Sequence, residues 1–186
     1  PGATLAYTLL FNTLGENLLL RKVKNGYGHK TEWQYKLMTE PSPTYMRTTV
    51  SAHPVNIVQS PLYLVSNFLR ENELTTRYEY RNMKLHKSGR GQLGFGKITK
   101  YSFSTNLYED QEFETDATTY IHMPKYVRFR QNSTVLQLKT FTNALQQLNT
   151  GNYEKIMYHR VSNTLDDNIM EGRMITNSHE VDDYGN

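Results

Sequence analysis

Cysteine is absent from the 186 residues. That excludes disulfide scaffolds, CxxC redox chemistry and thiolate zinc sites, and it leaves the compartment open, because a chain without thiols is compatible with any redox poise. Long apolar runs are missing as well. No stretch approaches the roughly 18 residues that a membrane-spanning helix needs, so no membrane span is expected. Neither sign of charge dominates: 21 Lys+Arg face 18 Asp+Glu, for a formal net charge of +3. A dedicated nucleic-acid binder carries a larger, clustered cationic excess, and no nucleic-acid partner is expected here. Alanine is scarce at 5 residues, whereas there are 21 Thr and 14 Tyr. Branched and aromatic side chains suit a pleated, half-buried surface, and alanine favours helices, so the composition is that of strands. The length fits one ordinary domain or a piece of something larger. The chain begins at Pro1 with no charged and apolar leader behind it. Both ends read as cut, and residues 1–186 are taken as a single excised segment.

Along the chain, Leu18 to Lys24 and Lys30 to Leu37 flank Asn25-Gly26-Tyr27-Gly28. Asn-Gly tolerates the positive φ of hairpin turns, so the two runs are expected to pair antiparallel. Thr31, Trp33, Tyr35 and Leu37 then share one face. Pro41-Ser42-Pro43 marks a connection, and strands are expected at Val55–Val58 and Leu62–Leu69. The cleanest alternation is Leu74 to Arg81, with Leu74, Thr76, Tyr78 and Tyr80 opposite Thr75, Arg77, Glu79 and Arg81. A glycine-rich loop should come next, then strands at Lys97–Phe103, Glu112–Tyr120, Tyr126–Arg130 and Tyr153–Val161. One stretch departs from this period. Leu138, Phe141, Leu145 and Leu148 have a 3-4-3 spacing with Gly151 beyond, which allows a short helix near 138–149, although Val135–Leu138 fits a strand equally well. The expected fold is mostly β, an antiparallel and hairpin-rich sheet.

Candidate chemistry is thin. Gly89-Arg90-Gly91-Gln92-Leu93-Gly94 spells GxGxxG, but a dinucleotide site needs a helix after it to receive the pyrophosphate. The next residues, Phe95 to Tyr101, alternate like a strand, so the glycines are assigned to tight turns and close packing, and no cofactor is expected. The six histidines show no HxxxH or HxH spacing that would converge on a metal. No Gly-x-Ser-x-Gly elbow positions a nucleophile. Glu112, Glu114 and Asp116 fall on one strand face, which suits a solvated or ion-paired surface better than a dyad converging from separate elements. From Arg81 to Lys100 there are six cations and no acid. If Ile98–Phe103 pairs with Glu112–Tyr120, this basic block and the acidic one face each other and mostly cancel.

Thr76-Arg77-Tyr78-Glu79-Tyr80, then Leu85-His86, then Gly89-Arg90-Gly91-Gln92-Leu93-Gly94-Phe95 resembles the "Y-x-Y … h-x-x-GRG-x-LGF" signature of RHS/YD-repeat proteins. Within that family the resemblance is to the B components of bacterial insecticidal Tc toxins and to SpvB-type virulence proteins. Asn17-Leu18-Leu19, Lys24-Asn25-Gly26-Tyr27-Gly28 and Tyr35-Lys36-Leu37 are similar to an upstream stretch of the same family. Asp183-Tyr184-Gly185-Asn186 resembles the "D-x-x-GN" start of a YD-repeat turn. The likeness runs from about residue 18 to 103 and returns at 183–186, whereas residues 121–175 carry no such motif.

The resemblance implies a non-catalytic role: a segment of a hollow shell, built from a spiralling sheet, that encloses a C-terminal toxic effector until delivery. It implies a secreted or cell-surface-associated bacterial parent, with the rest of the shell and its effector as partners. The family's self-cleaving aspartates lie well beyond a segment like this one, so no catalytic residue is carried over. Gly26, Gly28, Tyr78, Tyr80, Gly89, Arg90, Gly91, Gly94, Phe95 and Asp183 to Asn186 match structural positions only. Low hydrophobicity and polar groups on both strand faces agree with a wall, and its sheet edges should favour self-association. The rival reading is an extracellular β-rich module whose tyrosines stack on sugars or a receptor.

Overall fold

The computed structural model describes residues 8–9, 19–48, 50, 52–147 and 157–178. In chain order the strands are Thr8–Leu9 (β1), Lys22–Lys24 (β2), Lys30–Leu37 (β3), Tyr45–Met46 (β4), Val55–Ile57 (β5), Tyr63–Arg70 (β6) and Glu73–His86 (β7). They continue with Gly91–Ser102 (β8), Leu107–Thr115 (β9), His122–Gln131 (β10), Thr134–Gln147 (β11), Met157–Asn168 (β12) and Arg173–Ser178 (β13). All belong to one sheet, in the order β1-β2-β3-β6-β7-β8-β9-β10-β11-β12-β13, with β4 and β5 also paired to β7. From β6 onward each strand simply turns back on the one before it. The sheet is antiparallel apart from the short β4–β7 pairing, Tyr45 to Tyr80 and Met46 to Arg81. Among the described residues no helix is long and apolar enough to cross a membrane.

The expected helix near 138–149 is not formed over its described part; residues 138–147 belong to β11. Leu138 lies opposite Arg128 on β10 and Asp167 on β12, and Phe141 lies opposite Thr164. Pairing on both sides gives the backbone its hydrogen-bond partners, so a weak 3-4-3 apolar spacing interrupted by Thr140 and Thr142 has nothing to gain from a helix. Leu148 and Gly151 lie outside the described residues, as do residues 153–156 of the expected strand at Tyr153–Val161.

Turn chemistry explains the hairpins. At Glu71 and Asn72 both residues have positive φ, 51° and 67°, the geometry that a two-residue loop needs to match strand twist. Glu71 then ties that turn back to the sheet, its carboxylate accepting from the Lys30 amide at 2.8 Å. The β2–β3 turn works differently from the Asn-Gly expectation. Its positive-φ residue is Gly28, at 88°, while the Asn25 side chain accepts from the Tyr27 and His29 amides at 3.0 and 2.9 Å. The glycine-rich loop is also shorter than expected, because Gly91, Gly94 and Gly96 already lie within β8.

Strand β7 organises the molecule. One of its edges pairs with β8 from Thr76 to His86; the other is shared in succession by β6, β4 and β5. The chain between β3 and β6 thus supplies the partners for the part of the β7 edge that β6 leaves. There Met38, Tyr45, Leu64 and Met83 are buried together, with Val58, Tyr80 and Phe95 against them. Tyr45 donates its hydroxyl to the Val58 carbonyl and accepts from the Met83 amide at 3.1 Å, so its polar end is satisfied inside the cluster.

Asn82, at φ 54°, rephases β7. Tyr80 and Met83 both reach the core, and Arg81 and Lys84 are left together on the opposite face. Asn82 is held by Thr48, whose amide donates to its Oδ1 and whose hydroxyl accepts from its Nδ2, each at 2.8 Å. Opposite stands Gly96, where an added Cβ would come within 3.3 Å of the Asn82 Cβ.

Candidate functional site

The face opposite the core is a lattice of charges and rings set by register. Three rows cross four strands, β7 to β10: Arg77-Tyr101-Tyr108-Arg130, Glu79-Thr99-Asp110-Arg128 and Arg81-Lys97-Glu112-Tyr126. In the first row cations cap the rings. Arg77 sits 5.5 Å over Tyr101, Tyr101 and Tyr108 are 4.6 Å apart, and Arg130 lies 4.0 Å over Tyr108. In the second, Asp110 is completely buried. It accepts from the Thr99 hydroxyl at 2.7 Å and from Arg128 and Arg130 at 2.8 Å each, and Lys97 is 3.1 Å away. Burial alone would push the Asp110 carboxyl up. The hydrogen bonds from Arg130, Arg128 and Thr99, with the charge of Lys97, overturn that and hold it well below the usual carboxylate range. Four donors occupy both oxygens, so Asp110 is built to hold strands β8, β9 and β10 together rather than to take up a proton.

Glu112 in the third row accepts from the Tyr126 hydroxyl at 2.5 Å and pairs with Lys125 at 3.2 Å. Burial and the bond to Glu112 push the Tyr126 hydroxyl up to about 12. The expected facing of basic and acidic blocks is thus realised in part, and in a different register. Lys97 and Lys100 meet Asp110 and Glu109, because the β8–β9 turn falls at 103–106 and pairs Ser102 with Leu107. Asp116 leaves the strand face altogether; its carboxylate caps the next turn, accepting from the Thr118 and Thr119 amides at 3.0 and 2.6 Å.

A second constellation lies where β8 and β9 part company, since their pairing ends at Lys97 and Glu112. The His122 ring fills the gap. Its Nε2 lies 3.0 Å from the Phe95 carbonyl, an acceptor only, so that nitrogen carries the proton. Its Nδ1 accepts from the Thr115 hydroxyl at 3.0 Å, and that hydroxyl accepts from the Lys84 amine at 3.0 Å. The ring stacks on Phe113 and occupies the place where a Gly94 Cβ would stand, 2.7 Å from that position. His122 thus supplies the bond to Phe95 that the diverging ladder leaves open.

Desolvation, then the neighbouring Lys84 charge, lowers the His122 pKa against the opposing effect of the Phe95 carbonyl. The unfolded chain therefore takes up a proton on this histidine, near its ordinary value of about 6.5, before the folded chain does. Its contribution is fully present above that pH and is lost as the pH falls. Urea midpoints should drop between pH 7 and 5.5 more steeply for the native sequence than for His122→Gln. Parallel slopes would show that the ring is not held neutral.

The signature residues divide between places. Gly26 and Gly28 belong to the β2–β3 turn, and Gly89 and Arg90 to the β7–β8 turn. Arg90 donates to the Thr119 carbonyl and lies 5.5 Å over the Tyr120 ring, joining that turn to the one between β9 and β10. Tyr80 and Phe95 come together in the core, with ring centres 4.9 Å apart, and burial pushes the Tyr80 hydroxyl up to about 12. Tyr78 stands opposite Lys100 on β8. Asp183, Tyr184, Gly185 and Asn186 lie outside the described residues. GxGxxG runs from a hairpin turn into a strand, so no helix N-terminus meets it. Among the described residues no three His, Asp or Glu side chains converge as metal ligands. Sequence reasoning does not single out Asp110, Arg128, Arg130 or His122. Alternation within β10 aligns Arg128 with Arg130, but only pairing selects Asp110 as their partner. No known protein family, curated protein or solved structure matches the chain.

Proposed function

We propose that this chain is a non-catalytic wall segment of an RHS/YD-repeat-like shell, in a secreted or cell-surface bacterial protein that encloses a toxic effector. The observation that carries the reading is the serial order of β6 to β13, eight strands laid edge to edge in chain order in one sheet. Its support is also energetic. A sheet whose described residues form one small buried cluster, with an ionic lattice on the other face, gains little from a thick core, and it gains most from having neighbours on both edges. Strand β13 is exposed along all six residues, with its Met174 at 64%, and Met170 in the turn before it is 72% exposed.

Sedimentation velocity tests this. The 186-residue chain should associate in a concentration-dependent way, and Met174→Lys with Ile175→Lys should suppress that association while leaving the circular dichroism spectrum unchanged. A chain that stays monomeric across the accessible concentrations, with or without these lysines, would count against a wall segment.

A further inference from the structure

The Arg81 side chain forms no ion pair or hydrogen bond with any described residue, and its Nε is shielded from solvent without an acceptor. The Nε atoms of Arg77 and Arg128 are shielded in the same way, but those two side chains are held by Glu79 and Asp110 through another nitrogen, and Arg81 has no such anchor among the described residues. Arg81 borders a cleft of about 460 Å³ on the charged face, lined also by Thr48, Asn82, Lys84, Lys97 and Glu112, with Gly96 among its walls. The neighbours do not compensate it. Lys84 is hydrogen-bonded only to the neutral Thr115 hydroxyl, and Lys97 is drawn to Asp110, which already serves Arg128 and Arg130. Glu112, the one carboxylate in the lining, is engaged by Lys125 and Tyr126. Three cations against one carboxylate leave the lining at +2. Extending the count to Lys125, Arg128, Arg130, Asp110 and Glu114, whose charge reaches Lys84, gives six cations against three carboxylates, or +3, and the Arg77–Glu79 pair is neutral, so the surroundings do not cancel the excess.

We propose that this cleft is a binding site for a dianionic oxyanion, the terminal group of a phosphate monoester. Arg81 offers its planar fork to two oxygens and Lys84 adds a point charge. The absence of a side chain at Gly96 lets the group approach the strand. A dianion matches the excess of +2, and a carboxylate would leave half of it unanswered. This site does not depend on the wall reading, because it needs only the β7–β9 register and not an open sheet edge.

Calorimetric titration with inorganic phosphate at pH 8 tests it, at fixed ionic strength and with sodium acetate as the second titrant. Saturable phosphate binding at one site per chain is expected, at least tenfold tighter than acetate. Arg81→Met should weaken it tenfold or more. Lys139→Met, which removes an equal charge whose amine lies over Phe141, should change it less than twofold. Glu112→Gln should tighten it. Thermal unfolding of each variant verifies that the fold is kept. The proposal is overturned by no saturable phosphate binding, by acetate binding as tightly as phosphate, or by equal weakening in the Arg81 and Lys139 variants, which would reveal only a general positive field.

Discussion

Replacing Asp110 with Ala is expected to destabilise the chain by about 3 kcal/mol, at the lower end of the roughly 3–5 kcal/mol lost when one member of a buried ion pair is removed. Asp110 is wholly buried, and its removal leaves Lys97, Arg128 and Arg130 facing one another. Their side chains keep 19%, 30% and 24% of their exposure, so water relieves part of the repulsion and holds the loss to the lower end. Asp110→Asn keeps the volume but removes the charge and points an amide donor at guanidinium donors, so it should lose nearly as much. The urea midpoint, read at unchanged m, gives the value. Salt provides a second reading: molar sodium chloride should restore part of the stability of the Ala variant, because screening acts on the orphaned cations. A loss within about 0.5 kcal/mol, the range of an ordinary surface change, would mean that the three rows do not hold the strands together.

Gly94→Val should cost about 3 kcal/mol, since backbone strain and overpacking each contribute roughly 1–3 kcal/mol. At φ 130° the backbone is one that side chains rarely adopt, and the new Cβ would stand 2.7 Å from the His122 Cδ2 and 2.8 Å from its Nε2. The ring must leave, taking with it the bond to Phe95. Gly91→Val makes the instructive comparison. Its φ of 71° is also strained, but nothing lies within 4 Å of the added Cβ, so only the strain of about 1–2 kcal/mol applies. In a His122→Ala background the cost at Gly94 should fall toward that of Gly91, a coupling that a double-mutant cycle measures. Equal costs at both glycines in the native background would remove the role assigned to His122.

Much of the sheet is legible locally. The alternation from Leu74 to Arg81, the place of the turn at 25–28, and the adjacency of the basic and acidic blocks, though not their register, all depend on neighbours close in sequence. The features that local patterns miss share a different cause. The β8–β9 register differs from the expected one because the turn begins at Phe103, an apolar residue without turn chemistry of its own; its φ > 0 residue, Asn106, comes three places later. Apolar spacing near 138–149 permits a helix because it says nothing about partners, and β10 and β12 supply one on each side of β11. Asn82 hides a change of phase within a single strand, and no period-2 pattern can reveal a residue that breaks the period.

By itself the amino-acid sequence determined that strands would form and that neighbouring ones would turn back on each other, since alternation and turn chemistry act over a few residues. Only the tertiary structure decided that Asp110, one acid among several in its run, would gather Thr99, Lys97, Arg128 and Arg130, and that Arg81 would be left without a partner among the described residues. Those outcomes depend on which residue stands opposite which across four strands. A shift of one position in register would send each of these side chains to the other face.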